Sequence, residues 1–232
     1  MTTSVYFCFD PADAERAENV ISGIRPLKTE SETEADGELN RTTLSDSEVT
    51  VVLIGKHTFE NQNCLAEIKQ SLELEKAFLA VYLDNKNDTK ADGKTLLGKN
   101  PLGLFYFEYK DKNITLGEGA VVMAGKLKSR FLSKEVKAKV SDFTKSYDYI
   151  LDNGSENMSG WIQTELKKKN DFFAECDKIT PKDWDAVLKL TAKGGSKTSG
   201  MFLYYYWLKK LQIDQKQIEA EAEKQIISDT ES

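Results

Sequence analysis

The sequence predicts an α/β protein, with a small, mostly parallel sheet over residues 1–120 and an all-helical module over residues 121–232. Three observations carry this prediction. The stretch 49–54 (VTVVLI) is an apolar, β-branched run of the kind that forms a strand buried on both faces. A polar loop follows Gly55, and Leu65, Ile68 and Leu72 then recur at helical spacing, which is the alternation of α/β folds. From about Val121 the strand-like runs give way to helical spacing.

The elements follow in order. The stretch 4–9 (SVYFCF) alternates and is rich in aromatics, so it reads as the first strand. Asp10 is placed to cap the next helix, and Pro11 suits a first helical position. Ala14, Ala17, Val20, Ile21 and Ile24 trace that helix, which Pro26 stops. Residues 27–47 are polar and acidic. They allow a short strand at 27–29, a loop at Asp36-Gly37 and a short helix holding Leu39 and Leu44. A polar loop of this length is either functional or a plain surface segment. After the central strand and helix, residues 78–83 (FLAVYL) form another buried strand. Residues 104–109 (LFYFEY) form an aromatic strand nearer the sheet edge.

In the second half, residues 127–132 with Val136, Val140, Phe143, Tyr147 and Ile150 trace one helix, broken at Asp152-Asn153-Gly154. A second covers 158–176, and a third starts at Thr180-Pro181 and stops at Gly194-Gly195. A fourth, over 201–213, holds Phe202, Tyr204, Tyr205, Tyr206 and Trp207, and a helical tail continues from 214. Gly194-Gly195-Ser196-Lys197-Thr198 lacks the first glycine of a phosphate loop and a preceding strand, so it reads as a turn. The aromatics of this half either fill its own core or leave apolar surface for self-association or a protein partner.

Composition narrows the function classes. Apolar residues make up 40% and charged residues 30%, as in a soluble domain with a sizeable core. No apolar run approaches the ~18 residues of a membrane helix, and no basic-flanked leader opens the chain, so the expected location is cytoplasmic with no membrane partner. Residues 1–119 carry 13 Lys+Arg against 21 Asp+Glu, net −8, whereas the remainder carries 19 against 17, net +2. Neither half has the basic face of a nucleic-acid binder. Three cysteines far apart in sequence (Cys8, Cys64, Cys176) and one histidine argue against a disulfide framework and a Cys/His zinc site, so no metal is expected. Glu67 lies in the first turns of the helix that leaves the central strand's carboxyl end, where open α/β sheets bind ligands. A carboxylate there is a candidate for chemistry and equally a partner for the helix dipole.

The string 45–68, SDSEVTVVLIGKHTFENQNCLAEI, resembles the bacterial and archaeal TIR-like domains. These share a "SD-x-x-VVVLIG-x-HT" strand and loop, then an aromatic-Cys pair and a glutamate on the next helix. The opening VYFCFD is similar to their first strand, "VFISFD", and the likeness covers about residues 4–110. The TIR subunits of Thoeris-type antiphage systems are of this kind. The resemblance implies a flavodoxin-like TIR fold, with a mostly parallel sheet and helices on both faces. It also implies cleavage of NAD+ at the nicotinamide–ribose bond, as glycohydrolase or cyclase in antiphage signalling, with NAD+ as substrate and no cofactor.

In the TIR pattern W-C-x-x-E the glutamate is catalytic. Here the stretch reads Asn63-Cys64-Leu65-Ala66-Glu67, so Cys64 and Glu67 match and Asn63 departs. Phe9 and Asp10 match the family's substrate-side loop, and residues 30–38 stand where its BB-type loop would be. The implied site is therefore Glu67 as catalytic residue, with Phe9, Asp10, His57, Asn63 and Cys64 at the substrate. His57 is read as a hydrogen-bonding group, because the departing nicotinamide needs no general acid or base. Two rival expectations stand beside this one: a non-catalytic TIR-like scaffold, and a flavodoxin-like receiver or ligand-binding domain.

Overall fold

The computed structural model describes residues 3–24, 39–84, 98–110, 113–119, 135–184, 186–188 and 196–230. Its elements are β1 (Thr3–Cys8), α1 (Ala14–Gly23), β2 (Leu39–Arg41), β3 (Val49–Ile54), α2 (Gln62–Glu73) and β4 (Ala77–Tyr82). Then come β5 (Phe105–Lys110), β6 (Asn113–Glu118), β7 (Glu135–Lys139), α3 (Val140–Phe143), β8 (Lys145–Asp148), α4 (Gly154–Cys176) and α5 (Ser196–Thr230).

All six residues of β3 are buried, as its unbroken β-branched run requires, and it lies at the centre of a five-stranded sheet ordered β2-β1-β3-β4-β8. Every neighbouring pair in that sheet is parallel. The order reverses between β1 and β3, which makes the crevice beyond their carboxyl ends the topological switch point of a flavodoxin-like sheet. The mostly parallel α/β fold expected from sequence is thus the fold observed.

Two apolar clusters flank this sheet. One joins Val5, Phe7, Val51 and Leu53 to Ala17 and Val20 of α1 and Met158 and Ile162 of α4. The other joins Cys8, Val52 and Ile54 to Cys64, Leu65 and Ile68 of α2 and to the aromatic stripe of α5. Successive strand residues point to opposite faces, so Phe7 and Cys8 serve different clusters.

Several expectations are corrected. Leu39 belongs to strand β2, not to a short helix. The aromatic strand at 105–110 does not edge the main sheet. It is the middle strand of a separate antiparallel sheet, β6-β5-β7. Strands also occur after residue 121: β7 pairs with β5, and β8 pairs in parallel with β4 and completes the main sheet. The helical stripe drawn through Val136, Val140, Phe143, Tyr147 and Ile150 is therefore divided among β7, α3, β8 and a turn. Val136, Ala138 and Val140 alternate with lysines at a period of two, and Ala138 and Val140 are buried, which suits a strand with one covered face. The boundary of the all-helical part moves from 121 to Gly154. The fourth helix and the tail are one helix, α5. The readings at 27–29, 30–38, 127–132, Leu190 and Gly194-Gly195 lie outside the described residues.

The C-terminal aromatics are core. Trp184, Trp207, Tyr204 and Tyr205 are buried, and Tyr204 stacks on Phe107 at 5.4 Å between centroids. Of the two alternatives left open for these aromatics, filling the core is the one these four residues take.

Candidate functional site

The loops that leave β1 and β3 meet at the switch point. Asp10 caps the short 3-10 turn Pro11–Asp13, its Oδ1 accepting from the Ala12 amide at 2.8 Å. Its Oδ2 accepts from Asn61 Nδ2 at 2.7 Å. Asn61 is in turn the N-cap of α2, its Oδ1 accepting from the amides of Asn63 (2.9 Å) and Cys64 (3.1 Å). One asparagine thus caps α2 and ties it to the exit of β1. The β3 loop is turned by Thr58, which is fully buried; its hydroxyl accepts from the Gly55 amide at 2.9 Å and donates to the Leu53 carbonyl at 3.3 Å.

This clamp sets the rotation of α2 over β1. Cys64 and Glu67, three residues apart, lie on one helix face, and that face meets Cys8. The Cys8 thiol donates to the Cys64 carbonyl at 3.7 Å. The Sγ atoms of Cys8 and Cys64 and a carboxylate oxygen of Glu67 all lie within 4.8 Å of one another. Both thiols are buried, whereas Glu67 is half-buried and so retains access to solvent.

Tyr6, two residues before Cys8 on the same strand face, completes the group. Its phenol lies within hydrogen-bonding reach of the Glu67 carboxylate. Burial first, and then the Glu67 charge and that hydrogen-bonding contact, push the phenol upward from its ordinary value, so it remains a hydroxyl donor. The Cys8 thiol is held well above its usual range by its interaction with Cys64, then by burial and the Glu67 charge. It is therefore a neutral wall of the site and not a nucleophile.

The other residues implied for the substrate divide into three positions. Cys64 is at the site. Asn63 is exposed on the first turn of α2, and His57 is exposed in the β3 loop, its carbonyl accepting from the Glu60 amide at 3.0 Å. Asp10 is buried with both carboxylate oxygens engaged, so it positions the loops. Phe9 packs with the cluster on the α1 and α4 side, away from the Cys8–Cys64–Glu67 group.

Sequence reading missed Tyr6, Cys8 and Asn61 as site residues. The alternation of β1 places Tyr6 and Cys8 on one face, which was a usable signal; that this face meets α2 was not in the sequence.

A second polar group lies at the same end of the sheet. Arg16 bonds both Asp13 and Asp84, which follow β1 and β4. Asp13 Oδ2 is buried and has no hydrogen-bond partner among the described residues. A cavity of about 210 Å³ lies instead at the amino end of β4, lined by Lys76, Phe78, Lys168, Lys169 and Tyr204 among others, and shares no residue with the Glu67 group. Among the described residues, no helix is long and apolar enough to cross a membrane.

Residues 10–88 match the family model described as Thoeris protein ThsB, TIR-like domain. No curated protein matches the chain.

Proposed function

We propose that the protein, whose residues 10–88 match the Thoeris ThsB TIR-like domain model, cleaves NAD+ at its nicotinamide–ribose bond in antiphage signalling, with Glu67 as the catalytic carboxylate. The observation that supports this reading most is the setting of Glu67. It stands at the family's glutamate position, half-buried beside the two buried thiols and within reach of the Tyr6 phenol.

The chemistry asks for little more. As the C1′–N bond breaks, its electron pair leaves with nicotinamide, which departs neutral without a proton. The ribose becomes oxocarbenium-like, and a fixed carboxylate at its face stabilises the developing positive charge. In a site walled by apolar and neutral groups that stabilisation exceeds its value in water. Water then adds at C1′ and loses a proton, giving ADP-ribose; attack by a nucleophile of the ADP-ribose itself gives a cyclised product. NAD+ is consumed as substrate, and the steps as written call on no separate cofactor.

A non-catalytic scaffold is the second reading, favoured by Asn63, which is exposed where the family pattern has an aromatic. Self-association belongs to either reading. Its support is the outer part of α5, where Ile213 and Ile218 are 45% and 66% exposed.

The test is incubation with NAD+ and separation of products by liquid chromatography and mass spectrometry, for parent and Glu67→Gln, across a protein concentration series. The parent is expected to release nicotinamide, and the variant to lose about a hundredfold or more while still folding, the scale of removing one electrostatic stabiliser. Equal turnover in both sinks the assignment. No turnover in the parent at any concentration leaves the scaffold reading.

A further inference from the structure

We propose that Cys8, Cys64 and Glu67 form a binding site for a borderline-soft divalent cation, zinc above all, built into the switch-point face of the sheet. Two thiols and a carboxylate within 4.8 Å of one another are close to a coordination shell. Around a tetrahedral zinc with Zn–S bonds of about 2.3 Å, two sulfurs stand ~3.8 Å apart. The sulfurs therefore need to close by no more than ~1 Å, and each sulfur and the carboxylate oxygen by slightly more.

The donor set selects the ion. Two thiolates favour zinc or cadmium, whereas magnesium and calcium require shells of oxygen. Binding releases the two thiol protons and leaves two thiolates and one carboxylate around a 2+ ion, a net charge of −1. That charge is placed well: Cys64 lies in the first turn of α2, where the helix dipole favours negative charge. Tyr6 or a water is placed to fill the fourth position, since Tyr6 already reaches Glu67. Entry is from the Glu67 side, the one ligand of the three with solvent access.

The site has a consequence for activity, and that part rests on the catalytic reading of Glu67. An ion holding the carboxylate withdraws it from the ribose, so zinc is a reversible inhibitor of NAD+ cleavage.

The experiment uses the full chain, reduced and stripped of metal, titrated with zinc in competition with a chromophoric chelator. One zinc per chain is expected. Cys8→Ser and Cys64→Ser are each expected to weaken binding by about a hundredfold or more, since loss of a direct ligand exceeds the 10–100-fold typical of outer-shell changes. Cys176→Ser, outside this three-residue group, is expected to bind as the parent does. X-ray absorption of the unmutated zinc protein removes any dependence on how the variants fold: two sulfur ligands are expected. A shell of oxygen and nitrogen alone, or no stoichiometric uptake, overturns the proposal. NAD+ turnover is measured alongside. Turnover without zinc uptake rejects the metal site and leaves the enzyme; zinc uptake without turnover in the metal-free protein does the reverse.

Discussion

The Tyr6 hydroxyl lies within reach of the Glu67 carboxylate, and Tyr6→Phe removes that donor while keeping the ring in place. A hydrogen bond to a charged group contributes about 1.5–3 kcal/mol. If the carboxylate acts as proposed, kcat is expected to fall by ~10–100-fold with little change in stability; steady-state kinetics and a thermal melt check this, and unchanged kcat removes Tyr6 from the site. Gly55 is a second informative residue. A Cβ there would stand 1.8 Å from Asp13 Oδ2, and a Cβ at Gly98 would stand 1.9 Å from the Gly55 carbonyl oxygen. Gly55→Ala is expected to cost about 1–3 kcal/mol, the range for overpacking a filled interior. A chemical melt matching the parent's would show that the loop relaxes.

At the scale of elements, α2 is fixed at both ends by side chains. Its start depends on Asn61, which caps two amides and bonds Asp10. Asn61→Ala is expected to lose about 1–2 kcal/mol, as for other cap deletions. Asn61→Asp separates the two roles: it keeps an acceptor for the cap but sets a second carboxylate against Asp10. Its deficit is expected to shrink as pH falls and one of the pair takes a proton; a deficit independent of pH would show that the Asp10 link does not matter. The far end is held from α5, where the one proton of the Tyr204 hydroxyl is shared between the carbonyls of Leu72 (3.1 Å) and Lys76 (3.3 Å). Capping was readable at Asp10, whose role as N-cap followed from the Pro after it. It was not readable at Asn61, because asparagine in a polar loop has many possible partners and only the neighbouring β1 exit selects one.

For the whole molecule, the five-stranded sheet cannot be separated from the chain beyond residue 120. β8 covers the edge of β4, α4 covers one face, and α5 covers α2 and the antiparallel sheet. A chain ended at 120 is expected to lose cooperative folding; a soluble fragment with a sharp melt would show that residues 1–120 stand alone. The buried phenols give the molecule an alkaline limit. Burial, with Glu165 nearby, pushes Tyr147 up to about 12. Tyr6, Tyr204 and Tyr205 are raised too, each by burial first. A pKa raised on folding means stability that is intact below the ordinary phenol value of 10.0 and is lost as pH rises through the folded value. Circular dichroism and tyrosinate absorbance, tracked together upward from pH 10, are expected to show these tyrosines ionising only as the fold is lost. Full ionisation of all nine tyrosines with the far-ultraviolet signal intact would contradict this.

The sequence by itself determined the local elements of this protein: the buried run of β3, the amphipathic face of α2, the alternation of β1, and Cys64 and Glu67 on one helix face. These depend on periods of two and 3.6 within a few residues, and on caps that act locally. Only the tertiary structure decided which strands share a sheet. β5 has a strand's pattern yet joins the antiparallel sheet, and β8, whose Tyr147 fell on a helical stripe, forms the parallel edge, because local pattern does not fix whose backbone lies alongside. The candidate site has the same origin. Glu67 could be named from its place in a motif. Its neighbours Tyr6 and Cys8 come from a strand more than fifty residues earlier, and they reach it because β3 pairs with β1 and α2 packs back across that pair.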